Sequence, residues 1–302
     1  MTNEKKIFII GGITDSHALY VDGIRKRFGG GAMYGSQTAV SLGISTHVIT
    51  IGASDIDAAI RQLQEAGVTV DKVITKESNN YSNDYRSKRV LQMRSRTDRS
   101  ITRADLDAID IQYETASAVI LYPTYHEVSP EVLDAFPHAL RYVDASGYMR
   151  RAGKRNSEGF FPISQSDWEN RNDFVGRVDV LKISDEDIEN IKDVGGTQNP
   201  VERAKSLSMQ GFEHIILTRA EKSPLMIRNG EVLFEVPIHP IQVDDPAGAG
   251  EVFGVGFVTK YLQTKDLKEA TAFGNACASF KISGENYTFK KAQARAASIL
   301  GK

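Results

Sequence analysis

Short apolar runs of strand length recur along the chain up to residue 218: Ile7–Ile10, His47–Ile51, Ala118–Leu121, Arg141–Asp144, Val178–Ile183 and His214–Thr218, each bounded by Gly, Asp, Ser or Thr. Strands that are apolar throughout, separated by helices, belong to a parallel sheet covered on both faces. The intervening stretches Asp55–Ala66, Val128–Phe136, Asp185–Lys192, Pro200–Gln210 and Gly254–Gln263 carry helical spacing. The alternation predicts an α/β protein with a three-layer, doubly wound, mostly parallel sheet. After residue 218, Leu225–Arg228 and Val232–Val236 flank Asn229-Gly230, which predicts a hairpin that closes one sheet edge. Ala270–Ile282 and Ala292–Leu300 are Ala-rich and amphipathic and predict C-terminal helices.

Two stretches break the alternation. Ser16–Phe28 and Asn79–Arg99 are polar, rich in Tyr and Arg, and fit no core helix. Val21-Asp22-Gly23 in the first can turn a small hairpin. Read plainly, both are surface loops.

The 302 residues show no repeat or low-complexity linker, so residues 1–302 are read as one domain, and a hydrophobic content of 41% supports a sizeable core. With Lys+Arg at 37 and Asp+Glu at 39, the near-neutral chain removes the electrostatic case for nucleic acid. A small ligand is the expected partner. Only a short apolar run follows Met1–Lys6, so neither a signal peptide nor a membrane span is expected and the protein is placed in the cytoplasm. The single cysteine, Cys277, excludes an internal disulfide, and the six His show no metal-ligand spacing.

The most informative segment is Val243–Gly254, where a strand meets a long helix through Gly248-Ala249-Gly250, followed at once by Glu251. Small residues let backbone N–H groups face an anion, and the helix dipole adds positive potential. Glu251 would repel a bare phosphate unless magnesium and a substrate hydroxyl lay between them, an arrangement that phosphoryl transfer to an alcohol requires. The same residues also read as a left-handed turn with a first-turn Glu favoured by the dipole.

The segment resembles the C-terminal motif of the ribokinase-like (PfkB) carbohydrate kinases through Asp245, Gly248, Ala249, Gly250 and Phe253. The family has Asp, its catalytic base, where Glu251 stands. The resemblance implies a ribokinase-like fold with 16–28 and 79–99 forming a lid, here expected to be small and reduced because the first excursion is short. It implies an ATP- and magnesium-dependent kinase acting on a hydroxyl of a sugar, an inositol-like polyol or a nucleoside. Glu251 would be the base, with Gly248, Ala249 and Gly250 holding phosphate charge. A homodimer is admitted as the assembly.

Other family positions follow in order along the chain. Gly29 and Gly30, before a helix ending at Leu42-Gly43, resemble the first motif and would admit substrate hydroxyls to the backbone; Tyr34 stands where many sugar kinases have Asn. Asp15 stands where the family grips two acceptor hydroxyls, and also reads as a loop residue capping a turn. Val143–Arg150 resembles an Asp-x-x-Gly-x-x-Arg variant, in which Arg150 binds an anionic group or is an ordinary surface arginine. Ser184 and Asp187 take the positions of an Asn-x-x-Glu motif that orders magnesium through water, and equally read as a helix cap. Thr218 enters a nucleotide-side turn whose two family glycines are Ala220 and Ser223 here, while Asn275 and Ala278 would line an adenine pocket; Asp245 joins them on the donor side. An alternative is a family member that has lost catalysis and serves as a ligand-binding regulator. The changes at Glu251, Ser184, Asp187, Ala220 and Ser223 favour it.

Overall fold

Alternating side chains on the central strands feed two separate cores, so the sheet is covered on both faces. The computed structural model describes residues 6–84, 86, 90–109 and 111–302. Positions 85 and 87–89, within the second predicted lid excursion, and residues 1–5 lie outside the described residues.

Strand β1 (Lys6–Gly11) leads into a hairpin of β2 (Thr14–Tyr20) and β3 (Gly23–Gly29), then helix α1 (Gly31–Leu42) and β4 (Thr46–Gly52). Next come α2 (Asp57–Glu65), β5 (Thr69–Ile74), β6 (Asn80–Asp84), β7 (Gln92–Ser95), α3 (Arg103–Asp107), β8 (Ala116–Tyr122) and β9 (Leu140–Asp144). The chain continues through β10 (Arg150–Ala152), β11 (Phe161–Gln165), β12 (Val180–Ser184), the single turn α4 (Asp185–Ile188), α5 (Pro200–Met209) and β13 (His214–Arg219). It ends with β14 (Lys222–Arg228), β15 (Glu231–Glu235), α6 (Ala249–Thr264), α7 (Leu267–Ile282) and α8 (Phe289–Ile299).

Among the described residues the main sheet has nine strands in the order β15-β14-β13-β12-β9-β8-β1-β4-β5. It is parallel except at β14 and β15, which close one edge as the Asn229-Gly230 turn predicted. Asn229 and Gly230 both have positive φ, as a two-residue hairpin turn requires. Phe8, Ile10, Val119, Leu121 and Leu181 face Phe136, Trp168 and Phe212 in one core. Ile7, Ile9, Ala118, Ile120 and Ile216 face Phe253, Phe257 and Phe273 of α6 and α7 in the other. The three-layer, doubly wound α/β fold is therefore as expected.

Three local expectations are corrected. Val128–Phe136 is not an α-helix but a 3₁₀ segment, Pro130–Ala135, after which Phe136 leaves the helical region (φ −122°, ψ 57°) ahead of Pro137. Asp185–Lys192 yields only one helical turn, because the Arg203 guanidinium takes the carbonyls of Ile188 and Ile191 that a longer helix would use. The lid is not reduced. Its hairpin is short, but a third segment adds β10 and β11, giving among the described residues a six-stranded sheet in the order β10-β11-β7-β6-β2-β3.

Helix α6 lies unusually close to the sheet at Gly254, where an added Cβ would fall 2.2 Å from the Tyr122 hydroxyl and 2.8 Å from that of Tyr142. Gly254→Ala is expected to destabilise the fold by about 1–3 kcal/mol, the usual cost of overpacking. Urea unfolding checks it, and an unchanged midpoint would show that the helix can lift without penalty.

Candidate active site

The first turn of α6 is shaped by Gly248, its N-cap, which adopts φ 85° and ψ 0°. An added Cβ there would lie 2.6 Å from the Tyr34 ring, so both the turn and the contact demand glycine. The Ala249 N–H donates to the Pro246 carbonyl (3.2 Å) and Val252 N–H to that of Gly248 (3.0 Å). The turn itself therefore uses Ala249. The N–H groups of Gly250 and Glu251 belong to the helix end that lacks backbone acceptors, where an anion is favoured, and that of Glu251 already serves its own carboxyl. From β8, the Tyr122 hydroxyl donates to the Glu251 carbonyl (2.7 Å) and ties this turn to the sheet.

A cleft between the lid and the C-terminal ends of the central strands brings Glu251 together with Gly29, Gly30, Tyr34 and Arg150. Burial pushes the Glu251 carboxyl above its ordinary range and Asp144 adds to this, while Lys182 and Arg150 pull it back. Lys182 on β12 and Asp144 at the end of β9 form an ion pair of 3.0 Å, with 8% and 5% of their side chains exposed. Burial works against the Lys182 charge, but Asp144, Asp187 and Glu251 outweigh it, so the ammonium is held more firmly than usual. An added Cβ on Gly250 would sit 3.0 Å from Lys182 Nζ. Gly250 is thus small on its inner side because a lysine lies against it.

Arg150 is not a surface arginine. Its guanidinium donates to the Tyr81 hydroxyl (3.0 Å) and the Thr124 carbonyl (2.7 Å), which fixes it on the wall of the cleft. Asp15, by contrast, does not line the cleft. Its carboxylate pairs with Arg94 at 3.0 Å, and Thr14, Ser16, His17 and Ala18 are the β2 residues that line the cleft.

Asp245 accepts from Arg27 of the lid (2.8 Å), from Lys281 of α7 (3.0 Å) and from Ala247 N–H (3.0 Å). Burial opposes its charge, yet these partners bring its carboxyl below the ordinary range. Since Arg27 also lines the cleft, Asp245 joins the lid to the loop before α6. Thr218, Asn275 and Ala278 do not line the cleft that holds Glu251. The Thr218 hydroxyl donates to the Ile183 carbonyl (3.4 Å), Asn275 donates to that of Pro237 (3.2 Å), and Ala278 packs on the core.

Ser184 caps α4, accepting from Asp187 N–H at 3.0 Å, and Asp187 accepts from Gln165 at 2.9 Å. Among the described residues no group of three or more His, Cys, Asp or Glu could hold a metal ion. These side chains would therefore meet a bound magnesium only through water.

Sequence reasoning did not single out Lys182, Arg27, Thr14 or Ser16. Lys182 had a signal: it is the lone cation inside the apolar run Val178–Ile183.

Residues 148–293 match the model of the pfkB family carbohydrate kinases. The chain is 28% identical over 130 residues to a cytidine kinase of Thermococcus kodakarensis, covering 41% of this chain and 46% of that one. It is 30% identical over 90 residues to a ribokinase of Haemophilus influenzae, covering 30% and 29%. The matches thus span less than half the length of these relatives. Among solved structures, a pyrophosphate-dependent kinase of the ribokinase family, complexed with a pyrophosphate analogue and myo-inositol, superposes with a TM-score of 0.78 at 21% identity, covering 96% of this chain and 99% of the other. The ribokinase of Thermotoga maritima gives 0.73 at 15%, covering 98% and 99%. The fold is therefore ribokinase-like.

The turn after Thr218 keeps a left-handed residue although its glycine is gone, since Ala220 has φ 45°. Ala220→Gly should remove a strain of about 1–2 kcal/mol, less the added freedom of the unfolded chain. A higher urea midpoint is expected, and a lower one would mean that Ala220 is held without strain.

Proposed function

Because this chain is of the ribokinase-like (PfkB) family, we propose that it is a phosphotransferase that moves the γ-phosphoryl group of ATP to a hydroxyl of a sugar, an inositol-like polyol or a nucleoside. One observation carries the reading: the carboxylate of Glu251 enters a lidded cleft at the first turn of α6, next to N–H groups suited to an anion. Glu251 takes the proton of the acceptor hydroxyl as the new O–P bond forms and the bond from phosphorus to the leaving oxygen breaks. The N–H groups at Gly250 and Glu251, with Gly248 and Ala249 shaping the turn, hold charge on the transferring group.

Thr14, Ser16, Tyr34 and Tyr81, with the backbone at Gly29 and Gly30, offer hydroxyls and amides to a neutral, hydroxyl-rich acceptor. Arg150 anchors it from the opposite wall. Ser16 replaces Asp15 as the β2 side chain that meets the acceptor. On the donor side Thr218, Asn275 and Ala278 contact the nucleotide, Asp245 orders the loop that enters α6, and Ser184 and Asp187 hold magnesium waters. Magnesium offsets phosphate charge when bound. The absence of any described helix long and apolar enough to cross a membrane is compatible with work in the cytoplasm.

A coupled assay over a panel of sugars, polyols and nucleosides, with ATP and pyrophosphate as alternative donors, tests the reading. Turnover with pyrophosphate alone would replace the donor but keep the acceptor chemistry. Consumption of neither donor would favour the ligand-binding regulator.

Glu251→Gln is expected to lower kcat by at least about two orders of magnitude, the usual worth of a general base, with donor KM little changed. Glu251→Asp should retain measurable turnover. Since the base must be ionised and its carboxyl is raised, kcat should fall as pH drops through that raised value. Parent-like turnover by Glu251→Gln would remove the base assignment. In the same assay Ser16→Ala should raise the acceptor KM more than Asp15→Asn does; the reverse order would return Asp15 to the acceptor.

A further inference from the structure

We propose that Lys182 is a positioning residue for the base: paired with the buried Asp144, it offsets the carboxylate that would otherwise favour a proton on Glu251, and it fixes a positive charge beneath the first turn of α6. The inference rests on the proposed role of Glu251 and adds residues to which that role gave no part.

The geometry is specific. Asp144 ends β9 and Lys182 lies on the neighbouring parallel strand β12, where the two residues are register partners. Their side chains meet at 3.0 Å with almost no exposure, and the ammonium lies against Gly250, whose missing Cβ makes room for it. Asp144 also accepts from Ser146 N–H at 3.1 Å, which orients its carboxylate. A buried ion pair contributes little net stability compared with apolar packing of the same volume, so stability alone does not account for one at this place.

The charges around Glu251 show what the pair does. Facing it are Asp144 from β9, Lys182 from β12 and Arg150 from β10, with the hydroxyls of Tyr122 from β8 and Tyr142 from β9 behind. Asp144 and Glu251 are like charges in a shielded site, where one of two carboxylates tends to hold a proton. A protonated Glu251 cannot accept one from an alcohol. Lys182 offsets the Asp144 charge in part and so favours the ionised base. The ammonium also adds positive potential where the helix end already favours an anion.

The sign can be read directly. Removing Lys182 leaves Asp144 unopposed, so the Glu251 titration midpoint should rise. Removing Asp144 alone should lower it. Removing both, in Lys182→Met/Asp144→Asn, should bring it back towards the parent value.

Carboxyl ¹³C NMR of glutamate-labelled protein measures this without turnover, with the Glu251 resonance identified by its loss in Glu251→Gln. In the kinetic assay the acidic limb of kcat should move with the NMR midpoint, by about tenfold in rate for each pH unit, while acceptor KM stays near the parent value. Should Lys182→Met fail to fold, Asp144→Asn and the double variant carry the test. A midpoint that does not move in either single variant, or a double variant that fails to return towards the parent, overturns the proposal. Parent-like turnover by Glu251→Gln would sink the base assignment instead and leave the titration result standing, so the two failures are distinguishable.

Discussion

The close approach of helix α6 to the sheet is the constraint on which the site depends. Gly248, Gly250 and Gly254 each face a different neighbour: the Tyr34 ring, the Lys182 ammonium and the Tyr122 hydroxyl. A side chain at any of them would push the helix outward. With the helix seated, Tyr122 fixes its first turn through the Glu251 carbonyl, and the Glu251 carboxylate reaches the cleft. The glycines that suggest a phosphate cradle are therefore also packing residues. Smallness on the anion side and smallness on the sheet side are met by the same atoms.

Polar contacts tie the lid to this core and its strands to one another. Arg27 of β3 reaches Asp245 in the loop before α6, and Asn80 of β6 accepts from Asp15 N–H. Asn80 also donates to Asp55 and to Ser95. Such contacts leave almost no periodic signal in a sequence. The central strands were legible because each is buried on both faces, and the C-terminal hairpin because Asn-Gly states its turn. Strands β10 and β11 were not legible, since Arg150–Ala152 and Phe161–Gln165 contain no residue of the buried class. Strand β5, at the sheet edge, has one buried position, Val73, and shows no apolar run.

Within the site, legibility followed the type of restraint. The backbone turn at Gly248–Gly250 and the Gly29-Gly30 approach are written in residues that have few alternatives. The role of Asp15 is less legible, since in a strand one position changes the face. The Asp15 carboxylate meets Arg94, while Thr14 and Ser16 line the cleft. Arg150 read both as an anion-binding residue and as a surface arginine, because its partners, the Tyr81 hydroxyl and the Thr124 carbonyl, are remote in sequence. Lys182 was legible only by contrast with the apolar residues around it.

The charge count at the site has a consequence for the proposed reaction. Lys182 and Arg150 face three carboxylates, Asp144, Asp187 and Glu251, so the cluster carries one net negative charge while Glu251 is ionised. When Glu251 takes the acceptor proton, the same cluster becomes neutral. At that moment the transferring phosphoryl group carries its negative charge a short way along the helix axis, beside the Gly250 and Glu251 N–H groups. In a site shielded from water, electrostatic interactions are stronger than in bulk solvent. Proton uptake by the base and stabilisation of the phosphate are then linked, because one event supplies the charge that the other requires. Lys182 sets the starting point, because without it Asp144 would stand unopposed and favour the proton on Glu251 before the acceptor arrives.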